Sequence, residues 1–264
     1  MAEKMNETER YYREAINDPY KCMETVKKAP WSIRYAKEQT LELCMEAVQN
    51  DGEVLAYVKE QTPEICMAAV KNSGWALEYV KEQTPEICTA AVKNIEWALE
   101  YVKEQTPDIC MAAINSNGLA LQYVKEQTPD ICMAAVKNSG WALEYVKEQT
   151  PEICMAAVQE NFRAIRFVKE QTPEVCMTAV NESAKALQYI EHQTPEMFIA
   201  AMKHDSRAVN YISEECAKSL INNVEKRISN RQAVKPEEYY AYQNLTAELE
   251  QINSEVDMNE DFEM

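Results

Sequence analysis

Apolar and polar positions along this chain repeat with a period of 22 residues, most plainly in the stretch from Thr62 to Gln83, TPEICMAAVKNSGWALEYVKEQ. Ile65, Cys66, Ala69 and Val70 fall at the spacing that gathers side chains on one side of an α-helix, while Glu64 and Lys71 fall on the other. Thr62 suits the N-cap, Pro63 the first helical turn and Glu64 the positive helix end. The pattern predicts an amphipathic helix, helix A, of about nine residues starting at Pro63.

A second start is predicted near Ser73. Its equivalents are Ala29, Asp51, Ile95, Asn117, Ser139, Asn161, Ser183 and Asp205, most of them N-cap residues. The next position is Gly74 here but Pro30, Glu96, Phe162 and Ala184 elsewhere, so no obligate positive φ is implied. Helix B is expected from Gly74 to near Glu82. One continuous helix is excluded, because Pro63, Pro85, Pro107, Pro129, Pro151, Pro173 and Pro195 would each cost roughly 3 kcal/mol in a helix interior.

Cys22, Cys44, Cys66, Cys88, Cys110, Cys132, Cys154 and Cys176 lie one period apart, with Phe198 next, giving nine units without insertion. Sustained self-similarity at this period marks a stacked repeat architecture. The expected fold is all-α: an α-solenoid of nine helix-turn-helix repeats over 18–215. A cap segment precedes it at 1–17, cap helices follow at 216–253, and a disordered acidic tail is expected at 254–264. Short linkers predict a curved or superhelical array.

Charge changes the picture only partly. Of the net −17, residues 237–264 contribute nine acids and no Lys or Arg. Direct nucleic-acid binding through phosphate neutralisation is disfavoured. The chain has no apolar run of signal-peptide or membrane length, so a cytoplasmic, soluble protein without membrane contact is expected.

Little points to catalysis. The cysteine ladder lies on the apolar face of helix A, at a repeat spacing beyond disulfide reach, and contains no Cys-x-x-Cys pair; it is expected to be reduced core packing. His192 and His204 stand in no nucleophile motif, and four glycines form no phosphate loop. The expectation is no enzyme, no cofactor and no metal. Tyr79 has an aromatic equivalent in every unit, including Phe167, and is expected in the core. Gln83 has a Gln equivalent in each of the first eight units and is expected to bond the turn between units.

Binding is expected where the copies differ. The Trp75 position reads Trp31, Glu53, Trp75, Trp97, Leu119, Trp141, Arg163, Lys185 and Arg207. Three residues on stand Glu78, Glu100, Glu144 and Arg166. Trp31, Trp75, Trp97, Trp141, Arg163, Arg166, Lys185 and Arg207 are therefore the candidate binding residues, since exposed Trp and Arg make hot spots for a protein partner. The competing expectation is that Trp lies across the seam between repeats while the cations are merely solvated. A second candidate partner is a small anionic ligand such as a nucleotide signal, stacked on Trp141 and held by Arg163, Arg166, Lys185 and Arg207. A third reading is a nucleic-acid mimic built on Glu60, Glu82, Glu104, Glu126, Glu148 and Glu170, although Lys59, Lys81, Lys103, Lys125, Lys147 and Lys169 stand beside them.

The unit TPEICMAAVKNxxxALEYVKEQ, over about residues 18–215, resembles the repeat of the domain of unknown function 4116 family. The resemblance implies a helical repeat and brings no catalytic residues. That family's distribution among giant viruses, intracellular bacteria and phage-related genomes implies an effector or counter-defence role.

Overall fold

The computed structural model describes residues 7–260, with side chains over 7–249. Among the described residues there is no strand. The chain divides into two compact units, Met1–Asn138 and Ser139–Met264.

The first unit opens with the helix Glu7–Ala15. Helix A and helix B then alternate: Cys22–Lys28 and Pro30–Tyr35, Leu41–Asn50 and Gly52–Tyr57, Pro63–Asn72 and Gly74–Tyr79. Pro85–Asn94 and Glu96–Tyr101 follow, then Pro107–Ser116 and Gly118–Tyr123, then Pro129–Asn138. Each threonine start works as its chemistry suggests: the Thr62 hydroxyl accepts from the Ile65 amide at 3.4 Å, and Thr84 and Thr106, also before proline, and Thr40, before Leu41, do likewise. Helix A buries Ile65, Cys66, Ala69 and Val70 against helix A of the next repeat and the flanking B helices. Helix B adds Ala76 and Leu77. Each buried Ile or Leu contributes roughly 1.5–3 kcal/mol, whereas a helix of this length is marginal alone. Stacking therefore supplies the stability.

Helix B differs from the expected helix to Glu82. It is a six-residue 3-10 helix ending at Tyr79, and the reason lies one repeat away. Gln61 Oε1 accepts from the Lys81 amide at 3.0 Å, so that amide is drawn out of the helical path. Val80 donates to Leu77 O at 3.2 Å, and Gln83 Nε2 donates to the same carbonyl at 3.3 Å, which closes the end. Gln83 Nε2 also donates to Tyr101 O at 2.9 Å, and its Oε1 accepts from the Lys103 amide at 2.9 Å. One side chain thus ties its own turn to the turn of the next repeat, as expected of this position. Gln39, Gln61 and Gln105 repeat the pattern. Asn17 takes the same part before the first repeat, donating to Tyr35 O at 3.0 Å and accepting from Lys37 N at 2.9 Å.

The tyrosine position is also corrected. None of its occupants is buried: Tyr57 is 41% exposed and the rest are intermediate. In a 3-10 helix, positions three apart eclipse, so Leu77 and Val80 share the core side while Tyr79 swings to the seam. Capping at helix B is mixed. Asp51 and Asn117 accept from the amide two residues on at 3.0 Å, whereas the Ser73 side chain makes no cap bond.

The second unit continues with Gly140–Tyr145, the pairs Pro151–Glu160 and Phe162–Phe167, Pro173–Glu182 and Ala184–Tyr189, and Pro195–His204 and Ser206–Tyr211. Gln149, Gln171 and Gln193 tie these repeats as in the first unit, and Gln193 accepts from Ser213 N at 2.7 Å. Ser213 also caps the helix Glu214–Ser229. The last helix, Pro236–Glu260, buries Ala241 and Leu245 and packs on Pro195–His204 and Glu214–Ser229. It includes residues 254–260 of the stretch expected to be a disordered tail; residues 261–264, like 1–6 of the expected N-terminal cap, lie outside the described residues. Among the described residues, no helix is long and apolar enough to cross a membrane.

Candidate functional site

The short 3-10 helix turns its variable positions outward, and the glutamine ties fix its pitch from repeat to repeat. In the first unit this produces a chain of ring contacts. Trp75 meets Trp97 edge-on at 6.2 Å between centroids and Tyr101 at 5.9 Å. Trp97 reaches Tyr123 at 6.3 Å. Each Trp thus leans on the tyrosine of the following repeat, so seam packing and an outward face are one surface. Trp97 remains 45% exposed, and Trp75 is intermediate.

Carboxylates border these rings. Glu53, Glu78 and Glu100 are exposed. Glu78 beside Tyr79 pushes that phenol above its ordinary value, with burial and Glu53 adding to the effect. Tyr101 is likewise raised, by burial first and then by Glu78 and Glu100.

Trp31 lies apart from this pair. It packs on Tyr12 of the first helix at 5.1 Å and on Tyr35 at 6.3 Å, and the Arg34 guanidinium covers it at 5.0 Å.

In the second unit Trp141 meets Phe167 at 5.6 Å. The four predicted cations are exposed. Arg163 lies over Phe162 at 4.7 Å and Arg166 over Tyr189 at 5.3 Å. Arg207 is committed to Asp205, with Nη2 to Oδ2 at 2.9 Å; its hydrogen bonds hold that carboxyl below the usual range, and the charge of Lys185 helps.

The cysteine ladder is packing. From Cys44 to Cys176 every thiol is buried, and Cys66 and Cys88 donate weakly to Gln61 and Gln83 Oε1 at 3.8 and 3.7 Å. Burial pushes Cys176 and Cys216 up to about 11, so the nucleophilic thiolate is disfavoured. Among the described residues, no three His, Cys, Asp or Glu side chains gather where they could hold a metal ion.

Two features escaped the sequence reading. One is an asparagine ladder at the end of helix A: Asn72 accepts from Gly52 N at 2.8 Å and donates to Gln49 O at 2.8 Å, and Asn94 does the same for Gly74 and Lys71. The signal was present, since glycine at one position is followed 20 residues later by asparagine at Gly52, Gly74 and Gly118. The other is Arg34, whose sign reversal against Glu78 and Glu100 was legible in the register.

Grooves lie elsewhere, on the loop edge. Hollows of about 650, 200 and 140 Å³ open beside Cys22, Cys110 and Cys154, between the proline start of a repeat (Asp18-Pro19 in the first) and the Lys-Glu turn of the next repeat. None of the predicted binding residues lines them.

Residues 40–84, 106–150 and 128–172 match the model of a family described as domain of unknown function (DUF4116), and the repeats resemble that family. No curated protein and no solved structure matches the chain.

Proposed function

We propose that this chain is a non-catalytic binding scaffold that grips a protein partner through the outward face of its B helices. The observation that supports the reading is the contrast between constant and variable positions. Glutamine, threonine and the buried aliphatics are spent on the stack, while Trp75 and Trp97, leaning on one another in the open, stand at a position that changes identity from repeat to repeat. Aromatic side chains of this kind carry a disproportionate share of interface energy.

The other readings have less support. A small anionic ligand would need Arg163, Arg166, Lys185 and Arg207 to share a site, and Arg207 is held by Asp205 while Arg166 lies on Tyr189. The nucleic-acid mimic would need an unbroken negative edge, yet Lys81 Nζ donates to Lys59 O at 2.8 Å, placing an ammonium on the peptide bond that leads into Glu60. An effector or counter-defence role in a host-cell cytoplasm is consistent with the family resemblance and with a binding scaffold.

The test is affinity capture from the native cell with the wild-type chain and with Trp97→Ala, alone and combined with Trp75→Ala. Specific partners should be lost while circular dichroism keeps its helical signal. Partners retained by the folded double variant would refute the reading.

A further inference from the structure

The first repeat carries its own occupant on the outward face. Arg34 stands three residues after Trp31, and its guanidinium carbon lies 5.0 Å from the Trp31 ring centre, 4.6 Å from Tyr35 and 5.9 Å from Tyr57 of the following repeat. Glu9 completes the setting with an ion pair at 3.2 Å. Arg166 occupies the equivalent position of its own repeat and lies 5.3 Å over Tyr189, the counterpart of Tyr57. Wherever this position is arginine, the cation rests on the next repeat's tyrosine.

The third and fourth repeats keep the rings and reverse the charge. Trp75, Tyr79 and Tyr101 are the counterparts of Trp31, Tyr35 and Tyr57, but the Arg34 position is Glu78; one repeat on it is Glu100. Glu78 is exposed, and its charge, foremost at Tyr79 and after burial at Tyr101, helps raise both phenols, the counterparts of the two tyrosines that Arg34 covers. The third repeat therefore offers aromatic rings and carboxylates with no cation at the Arg34 position, and its Trp75 leans on Trp97 and Tyr101 where Trp31 leans on Tyr12 and Tyr35.

We infer that the Trp75–Trp97 face accepts arginine side chains from a basic segment of a protein partner, each guanidinium lying on the rings and pairing with Glu78 or Glu100. This rests on the scaffold reading above and names the chemistry of its partner. Arginine fits better than lysine because its planar, weakly hydrated head stacks on rings and forks onto a carboxylate, whereas an ammonium does neither as well.

The experiment is calorimetric titration of the full chain, at physiological salt, with an acetylated hexa-arginine peptide and its hexa-lysine counterpart. The arginine peptide should bind about fivefold or more tightly than the lysine peptide. Glu78→Gln with Glu100→Gln should weaken arginine binding about tenfold, and Glu78→Arg with Glu100→Arg, which supplies the missing cation from within, should abolish it. Glu82→Gln with Glu104→Gln removes equal charge from the loop edge and should change binding less than about twofold. Equal affinity for the two peptides, or equal damage from the two glutamine pairs, would overturn the inference. If the Trp variants still lose the native partner in that case, the scaffold reading stands and only the basic partner falls.

Discussion

Replacing Gln83 by alanine is the sharpest probe of what holds neighbouring repeats together. The change removes donors to Leu77 O and Tyr101 O and the acceptor for Lys103 N, at 3.3, 2.9 and 2.9 Å. At about 0.5–1.5 kcal/mol net for each bond, the gross loss is roughly 2–4 kcal/mol. Leu77 O keeps the Val80 amide at 3.2 Å, so Tyr101 O and Lys103 N are orphaned and the buried Cys88 thiol loses a weak acceptor. Gln83 is half-buried, so water reaches part of the gap. The expected cost is therefore about 2 kcal/mol, read from urea unfolding followed by circular dichroism. Faster hydrogen exchange of the Lys103 amide should accompany it. Gln83→Glu keeps the acceptor but turns a carboxylate toward two carbonyl oxygens. Its folded-state pKa should rise above the unfolded value, so relative to wild type this variant regains stability as the pH falls through the folded value, fully so below the unfolded value of about 4.3, and loses it as the pH rises back through the folded value. A loss below about 0.5 kcal/mol for Gln83→Ala, with unchanged Lys103 exchange, would refute the assignment of this tie as a principal link between repeats.

Three further outcomes follow from the geometry. Arg34→Ala should loosen the helix Glu7–Ala15 and cost about 1 kcal/mol through the lost ring contacts and the Glu9 pair, visible as a change in Trp31 near-ultraviolet dichroism. Gly52→Ala would drive a methyl group into Ala69 O, a backbone atom that cannot readily step aside, and should destabilise by roughly 1–3 kcal/mol in thermal unfolding. In native protein at pH 8, a thiol reagent should label half-buried Cys22 ahead of Cys176 and Cys216, whose thiols are raised to about 11; urea should make all nine reactive, and uniform native labelling would contradict the packing.

Helix A was legible in the central repeats because its determinants there are local: Thr62 caps, Pro63 starts, and Ile65 with Val70 marks the buried face; in the first repeat, where Asp18-Pro19 replaces Thr-Pro, the helix starts only at Cys22 and has no side-chain cap. Helix B was legible as a start but not as an end. Its apolar spacing over one or two turns serves a 3-10 helix as well as an α-helix, and the residue that stops it, Gln61, lies in the preceding repeat. The same short pitch explains why Tyr79 was assigned to the core, since its place on the seam depends on three residues per turn. The Trp positions were picked out by their variation, but the choice between seam and surface was a false one: contact with a tyrosine 26 residues on, as from Trp75 to Tyr101, leaves part of each indole open. The cations of the second unit could not be assigned from spacing, because Asp205 competes for Arg207 from two residues away.

The glutamine tie also bears on how such a chain changes over generations. Gln61 bonds a carbonyl 18 residues ahead and an amide 20 residues ahead, and what it meets there is backbone, indifferent to the residue that supplies it. Excising residues 62–83 would join Gln61 to Thr84 and hand it Tyr101 O and Lys103 N, the groups Gln83 now holds. A gene encoding near-identical units invites unequal recombination, and here each crossover in register yields a protein with every tie intact. Length and the order of outward residues are thus free to be reshuffled, while an insertion or loss of a single residue between Gln61 and its two backbone partners takes the tie out of register.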